Sequence, residues 1–250
     1  MLHRARKLAW QSRVAATLAA TLYLSSLAQG GEIDILPKLN GRADFFGGID
    51  GAKDTYFAWS GVTYAPAGRL DEDGFRVRIA GGAGTYRYRT GNVPGGVNDV
   101  NVMSGELLGG YRATYGKVYF SGYLGFHIEQ QMLALPDPFN PTAGTEAGIK
   151  GSIEVYTRLW DSYVVTGFAS ASTVHRKYNA RATLLRELDE RWAFGLEGGA
   201  LGDARTSELR AGLTGVLTWQ RKIFALSAGV LDNSDKGTGA YATLSVYSPF

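Results

Sequence analysis

From Gly237 to Phe250 the chain alternates between apolar and more polar positions and ends on an aromatic residue. Ala240, Ala242, Leu244, Val246 and Phe250 share one parity, and Tyr241, Thr243, Ser245 and Tyr247 share the other. Period-two alternation builds a strand with one apolar and one wetter face. A strand at the end of the sequence leaves an unpaired edge, which templates aggregation unless another strand covers it. Closing the sheet, with the last strand beside the first, removes that edge. The stretch therefore restricts the chain to two designs, a sandwich with this strand at its edge or a barrel with this strand as its closure.

The other end of the sequence bears on the choice. Arg4, Arg6, Lys7 and Arg13 precede a short apolar run from Val14 to Leu27 that ends in small residues, the layout of a secretory signal peptide. The run is shorter than the roughly 20 residues a membrane-spanning helix needs. Residues 1–30 are expected to be a leader cleaved after Ala28 or Gly30, and residues 31–41 an extended segment. Four of the 26 basic residues and none of the 23 acidic ones lie in that leader, so 22 basic face 23 acidic residues beyond it. No basic patch remains that would argue for nucleic acid. With no cysteine in the sequence, thiolate metal sites, thiol catalysis and disulfides are excluded.

Alternation and turn signals predict twelve strands within residues 42–250. They run over 42–51, 55–66, 75–89, 98–115, 118–131, 149–160, 162–176, 179–188, 192–201, 206–219, 223–231 and the closing stretch, with a Pro-rich loop over 132–148. An even count puts both chain ends on one side, which in an outer-membrane barrel is the periplasm. The tight turns at 115–117, 160–162, 188–191 and 219–222 then share that side, although the one at 67–73 is longer. The loops at 90–97, 132–147 and 232–237 fall outside. The expected fold class is all-β, a transmembrane antiparallel up-and-down barrel following a cleaved signal peptide. Doublets such as Gly81-Gly82, Gly109-Gly110 and Gly198-Gly199, among 34 glycines in all, suit the strong coiling of a small closed barrel.

The fifth strand displays the two faces. Val118, Phe120, Leu124, Phe126 and Ile128 fall on one parity and face lipid; Tyr119, Tyr123, His127 and Glu129 fall on the other. The seventh strand is ambiguous, since Val164 and Phe168 oppose Tyr163 and Val165. By parity Arg76 and Arg78 point inward from the third strand, Glu106 and Arg112 from the fourth, Glu129 from the fifth, and Glu154 and Arg158 from the sixth. Unpaired charges in a confined interior are costly, so opposite signs are expected to meet and narrow the lumen. Inward Tyr119, Tyr123 and Tyr156 offer flat faces that can stack on sugar rings or simply fill the interior.

Enzyme readings fail by absence. His127 and Glu129 share a face but stand about 7 Å apart along the strand, and Ser121 is farther still; His175 and Ser172 fall on opposite parities. The cluster Asp71-Glu72-Asp73-Gly74 lacks the spaced oxygen ligands of a calcium loop. Gly81-Gly-Ala-Gly84 is followed by no helix that would make it a phosphate loop. No catalytic residue, metal site or cofactor is expected.

Several stretches resemble the bacterial cellulose biosynthesis protein BcsS family. They are Leu70-Asp-Glu-Asp-Gly-Phe-Arg-Val-Arg78 with Gly81-Gly-Ala-Gly-Thr-Tyr86, then Gly109-Gly-Tyr-Arg112, Pro138-Phe-Asn-Pro141 running to Gly148-Ile-Lys150, and Gly195-Leu-Glu-Gly-Gly-Ala-Leu-Gly202. They occur in the same order as in the family, and the resemblance as a whole covers roughly residues 43–250. The final strand also resembles the closing strand of bacterial outer-membrane proteins, with Phe250 as the membrane-insertion signal. The resemblance implies an outer-membrane barrel accessory to cellulose (exopolysaccharide) biosynthesis and export, without catalysis. Its partners would be outer-membrane lipid, the barrel-assembly machinery, and a glucan chain or other cellulose-export components. The alternatives are a structural or docking barrel and a small-solute channel, neither carrying polymer.

Overall fold

The computed structural model describes residues 41–160 and 162–250; the leader expected over 1–30 lies outside them, as does the segment that follows it up to Asn40. Twelve strands close into one antiparallel barrel. They are β1 (Ala43–Ala52), β2 (Thr55–Tyr64), β3 (Gly74–Arg89), β4 (Val97–Tyr115), β5 (Val118–Leu133), β6 (Gly144–Leu159), β7 (Tyr163–Ser172), β8 (Tyr178–Glu187), β9 (Trp192–Gly202), β10 (Ser207–Trp219), β11 (Lys222–Asn233) and β12 (Gly237–Pro249).

Each strand pairs with its neighbours in sequence, and β12 returns to β1 in a register running from Asp44 opposite Pro249 to Ala52 opposite Tyr241. The backbones of Phe250 and Ala43 exchange hydrogen bonds of 2.9 and 3.2 Å at the end of that seam. We call the end where β1 begins and β12 finishes the lower end. The tight connections after β4, β8 and β10 share it with Phe250.

The outward set on β5, from Val118 through Phe126 to Ile128, is exposed, as a lipid-facing wall requires. Large aromatic side chains ring the lower end on the outside, among them Tyr64, Tyr115, Trp192, Trp219 and Phe250, the position of an interfacial girdle. Outward positions of β3 are apolar or glycine from Phe75 to Ala83 and turn polar at Thr85, Arg87 and Arg89. That apolar stretch spans about 26 Å along the strand, or about 20 Å of height at a tilt near 40°, comparable with the lipid-facing band of such barrels. β3 to β6 therefore rise above the membrane as a tall wall.

Two boundaries differ from the sequence reading. β6 begins at Gly144, opposite Gln131 of β5, so the Pro-rich loop shrinks to 134–143. β7 stops at Ser172, because His175 and Arg176 adopt left-handed φ of 49° and 53° and a 3₁₀ turn over Val174–Arg176 sends the chain back. The ambiguity of β7 resolves with Val164 and Phe168 inward, paired to the inward Arg158 and Glu154.

That parity reflects what fills the barrel. Phe46, Tyr156, Val164, Leu185, Val216, Ile223 and Tyr247 form one buried cluster inside the lower half, with Trp59, Ala80 and Tyr119 packed against it. Every strand except β4 contributes to this cluster. The inner face is therefore largely apolar below, with a few buried charged groups set into it, and more polar above.

Beneath the cluster, the loop 65–73 folds under the barrel. Ala65 and Leu70 are buried, and their amides donate to the Arg42 and Gly41 carbonyls at 2.8 and 3.0 Å. Arg76 reaches down from β3 to donate to the carbonyls of Arg69 and Leu70 at 3.0 and 3.1 Å, and to that of Glu72. Arg112 donates to the Leu70 carbonyl at 2.8 Å from β4. The extra length of this connection makes it a cap.

Candidate functional site

The interior has two levels. In the lower one, Arg78 of β3 meets Glu154 of β6 at 2.6 Å, both side chains almost entirely buried. The Arg78 guanidinium lies 4.1 Å from the Tyr123 ring centroid and 5.2 Å from that of Phe46, so its charge is held between aromatic faces as well as by the carboxylate. Arg112 sits 4.8 Å from the Tyr119 ring, and Tyr119 packs against Tyr156 at 5.6 Å between centroids. The Tyr247 hydroxyl donates to Asp44 at 3.2 Å.

Tyr119, Tyr123 and Tyr156 thus lie in the packed lower level, and none of them lines the space above. The charges placed inward by parity divide among several jobs. Arg78 and Glu154 pair with each other, Arg76 and Arg112 hold the capping loop, and Arg158 meets Glu187 of β8 at 2.8 Å. Glu106 is met by Lys150 of β6 at 2.5 Å, and Glu129 by Lys177 of the β7–β8 connection at 2.5 Å.

These last two pairs belong to the upper level, a chamber of about 340 Å³ that begins above Phe46 and Trp59 and reaches the upper rim at Lys177, Asp203, Arg205 and Lys236. Its other wall carries Arg181–Glu197 at 2.6 Å and Arg210, which meets Asp50 at 2.7 Å and Glu208 at 2.6 Å. The Tyr241 hydroxyl and the Thr214 hydroxyl add hydrogen bonds to Glu197 at 2.6 and 2.9 Å. Lys236 bonds Thr55 Oγ1 at 2.5 Å and the Asp54 carbonyl at 3.1 Å, and its burial at the rim lowers the ammonium's affinity for its proton.

Sequence reasoning passed over Lys150, Lys177, Arg181, Glu197, Arg210 and Asp50. Lys150 and Arg210 find Glu106 and Asp50 two and three strands away across the curved wall, a relation that parity along one strand does not carry, while Arg181 and Glu197 meet between the adjacent β8 and β9. It also missed the partner of His127. Nδ1 of this ring lies 2.8 Å from Ser172 Oγ, reaching from β5 to β7 past Gly148 of β6. A Cβ at Gly148 would come within 2.1 Å of Thr173 Oγ1, so glycine there lets the three elements close up. The Ser172 hydroxyl also accepts the Val174 amide at 3.1 Å. Among the described residues no carboxylate hydrogen-bonds the other ring nitrogen, so the pair lacks the third group that would orient the imidazole as a base.

At the mouth, the loop 134–143 tucks inward. Asp137 accepts hydrogen bonds from the Tyr88 hydroxyl at 2.9 Å and the Asn92 amide at 3.0 Å, while Asn98 holds the Leu135 carbonyl and amide at 2.7 and 3.0 Å. Arg205, from the β9–β10 connection on the opposite side of the barrel, lies 4.2 Å from the Tyr88 ring centroid. That contact reaches across the mouth above the chamber.

The family model for cellulose biosynthesis protein BcsS matches residues 45–250, the whole barrel apart from its first two strand residues. The chain belongs to the cellulose biosynthesis protein BcsS family. No curated protein matches it. Among solved structures, the barrel is similar to a KdgM porin in complex with disordered oligogalacturonate, at TM-score 0.50 and 12% identity over 83% of this chain and 99% of that one. It is equally similar to the translocator domain of the autotransporter NalP from Neisseria meningitidis, at TM-score 0.50 and 13% identity over 98% and 96%. At such identities the likeness concerns the fold, and the fold of this BcsS family member is that of an outer-membrane barrel.

Proposed function

We propose that this BcsS family barrel serves cellulose production as an accessory in the outer membrane that stands beside the path of the glucan and does not conduct it. One observation carries the reading. The lower half of the barrel is filled by side chains from nearly every strand and capped by the loop 65–73, which leaves no channel for a polymer. The same filling weighs against a small-solute channel and favours a barrel that anchors or presents material at its upper end. The lower end, with the start of β1, Phe250 and the tight turns, corresponds to the periplasmic side, and the tall wall of β3 to β6 to the cell surface.

Conductance of the refolded chain in a planar bilayer tests this. The expected record is a closed baseline, and a long-lived open pore would overturn the reading. In the producing cell, removal of the protein should lower the cellulose deposited at the surface without abolishing glucan synthesis in membrane extracts. Unchanged surface cellulose would remove the accessory role.

A further inference from the structure

We propose that the upper chamber is a binding site for an uncharged oligosaccharide, which enters from the upper rim and lies along a track of aromatic faces on β1 to β3. The choice of a β-glucan segment as its occupant rests on the cellulose reading above; the preference for a neutral sugar rests on the chamber itself.

The track is built by glycine. A Cβ on Gly48 would come within 2.6 Å of the Trp59 ring, and one on Gly82 or Gly84 within 2.6 Å of the Phe57 ring. Both rings therefore occupy the space over the bare backbone of the neighbouring strand, and both line the chamber. The register stacks them in order. Phe46 is level with Gly61, Trp59 with Gly48, Phe57 with Asp50 and Thr55 with Tyr86, so the aromatic positions climb in steps of two residues, about 7 Å each. Flat apolar faces of this kind suit the C–H faces of pyranose rings.

The rest of the lining supplies what the rim of a sugar needs. Lys150 with Glu106, Lys177 with Glu129, Arg181 with Glu197, and Arg210 with Asp50 place donors and acceptors side by side, and hydroxyl groups can both donate to and accept from such pairs. The charges along this lining cancel, so the chamber has no net field to draw in an anionic or cationic ligand. Its volume of about 340 Å³ is at the small end of the roughly 300–1,000 Å³ of ligand sites, enough for a short segment entering end-on. Tyr119, Tyr123 and Tyr156, the sugar-stacking candidates by parity, are spent on the floor below.

Calorimetric titration of the refolded full chain in detergent with cellohexaose, and in parallel with an oligogalacturonate, tests the site. Saturable binding of cellohexaose is expected, with none or far weaker binding of the acidic sugar. Trp59→Leu with Phe57→Leu should weaken cellohexaose binding by at least about tenfold, the factor that about 1.4 kcal/mol represents, while Trp59→Phe keeps most of it. Glu106→Gln with Glu129→Gln leaves Lys150 and Lys177 uncompensated and should raise affinity for the oligogalacturonate. Folding of each variant is checked by its heat-dependent shift in gel mobility. The site is overturned if folded protein shows no saturation at millimolar cellohexaose, if it prefers the acidic sugar, if the Leu pair binds as well as the parent, or if the Gln pair leaves the preference unmoved. An open pore in the bilayer would overturn the accessory reading alone, and failed sugar binding by a closed barrel would overturn this site alone.

Discussion

Arg78 Nη1 lies 2.6 Å from Glu154 Oε1, and Nη2 of the same guanidinium lies 3.2 Å from Oε2, a two-pronged contact that ties β3 to β6 through the barrel interior. The two intervening strands pass around it, with Tyr123 of β5 stacked on the guanidinium. A buried ion pair repays its desolvation only with such geometry, and removal of one member leaves a charge with no water to serve it.

Glu154→Gln or Arg78→Ala should therefore cost about 3–5 kcal/mol, the usual penalty for a half-removed buried pair, and should lower the temperature at which the folded gel band converts to the unfolded one. Arg78→Leu with Glu154→Leu together should be milder than either single change, since no charge is stranded. A single variant that melts with the parent would show the pair to be idle.

The barrel itself was legible in the sequence because lipid enforces an apolar outer face on every strand, and β5 and β12 state that face residue by residue. The inside was legible only in part. Wherever the inner face is also apolar, as in β7 with Val164 and Phe168, both parities read alike and periodicity loses its meaning. The turn over 67–73 reads in sequence only as longer than the others; that the loop 65–73 caps the barrel depends on Arg76 and Arg112 reaching its carbonyls, which no local pattern announces. The chamber's aromatic track was hidden for a similar reason. Gly82 reads in sequence as a glycine for barrel coiling, and Gly48 carries no reading, until Trp59 and Phe57 are seen against them.

The mouth should respond to acid. Burial pushes the Asp137 carboxyl up, but the hydrogen bonds from Tyr88, Asn92 and the Phe139 amide outweigh it and hold the group below its ordinary value of 3.8. A carboxyl with a depressed folded-state pKa contributes stability that is present above 3.8 and is lost as pH falls through the lower folded value. Hydrogen exchange over 134–143 should thus stay slow from neutral pH down to about that ordinary carboxylate value and quicken only below it. Asp137→Asn should quicken it at neutral pH. Exchange in the parent that accelerates already around pH 6 would assign the loop's docking to some other group.

The seam depends on the last residue. Phe250 is exposed at the lower girdle and its backbone completes the pairing with Ala43. Phe250→Asp would put a charge at the membrane boundary, and deletion would remove two backbone hydrogen bonds from the closure. Both should reduce the heat-shiftable folded band in outer-membrane fractions severalfold, with Phe250→Tyr near the parent level. Parent levels for the Asp variant would remove Phe250 from any part in insertion.

The closed state has two barriers in series, and they should separate experimentally. Arg76 and Arg112 clamp the loop 65–73 from above, and each hydrogen bond from a charged donor contributes about 1.5–3 kcal/mol. Arg76→Ala with Arg112→Ala should free the loop, which protease added at the lower end would then cut. The packed cluster of Phe46, Tyr156 and Tyr247 remains above it, so the bilayer record of this variant should stay closed. Adding Phe46→Ala and Tyr156→Ala to it takes away two of the largest side chains in the floor, and intermittent conductance should then appear. Conductance from the arginine variant alone would make the loop the true gate and the cluster mere packing. A baseline still closed in the fourfold variant, with folding retained, would mean that Arg78 and its aromatic partners seal the barrel without the floor's help.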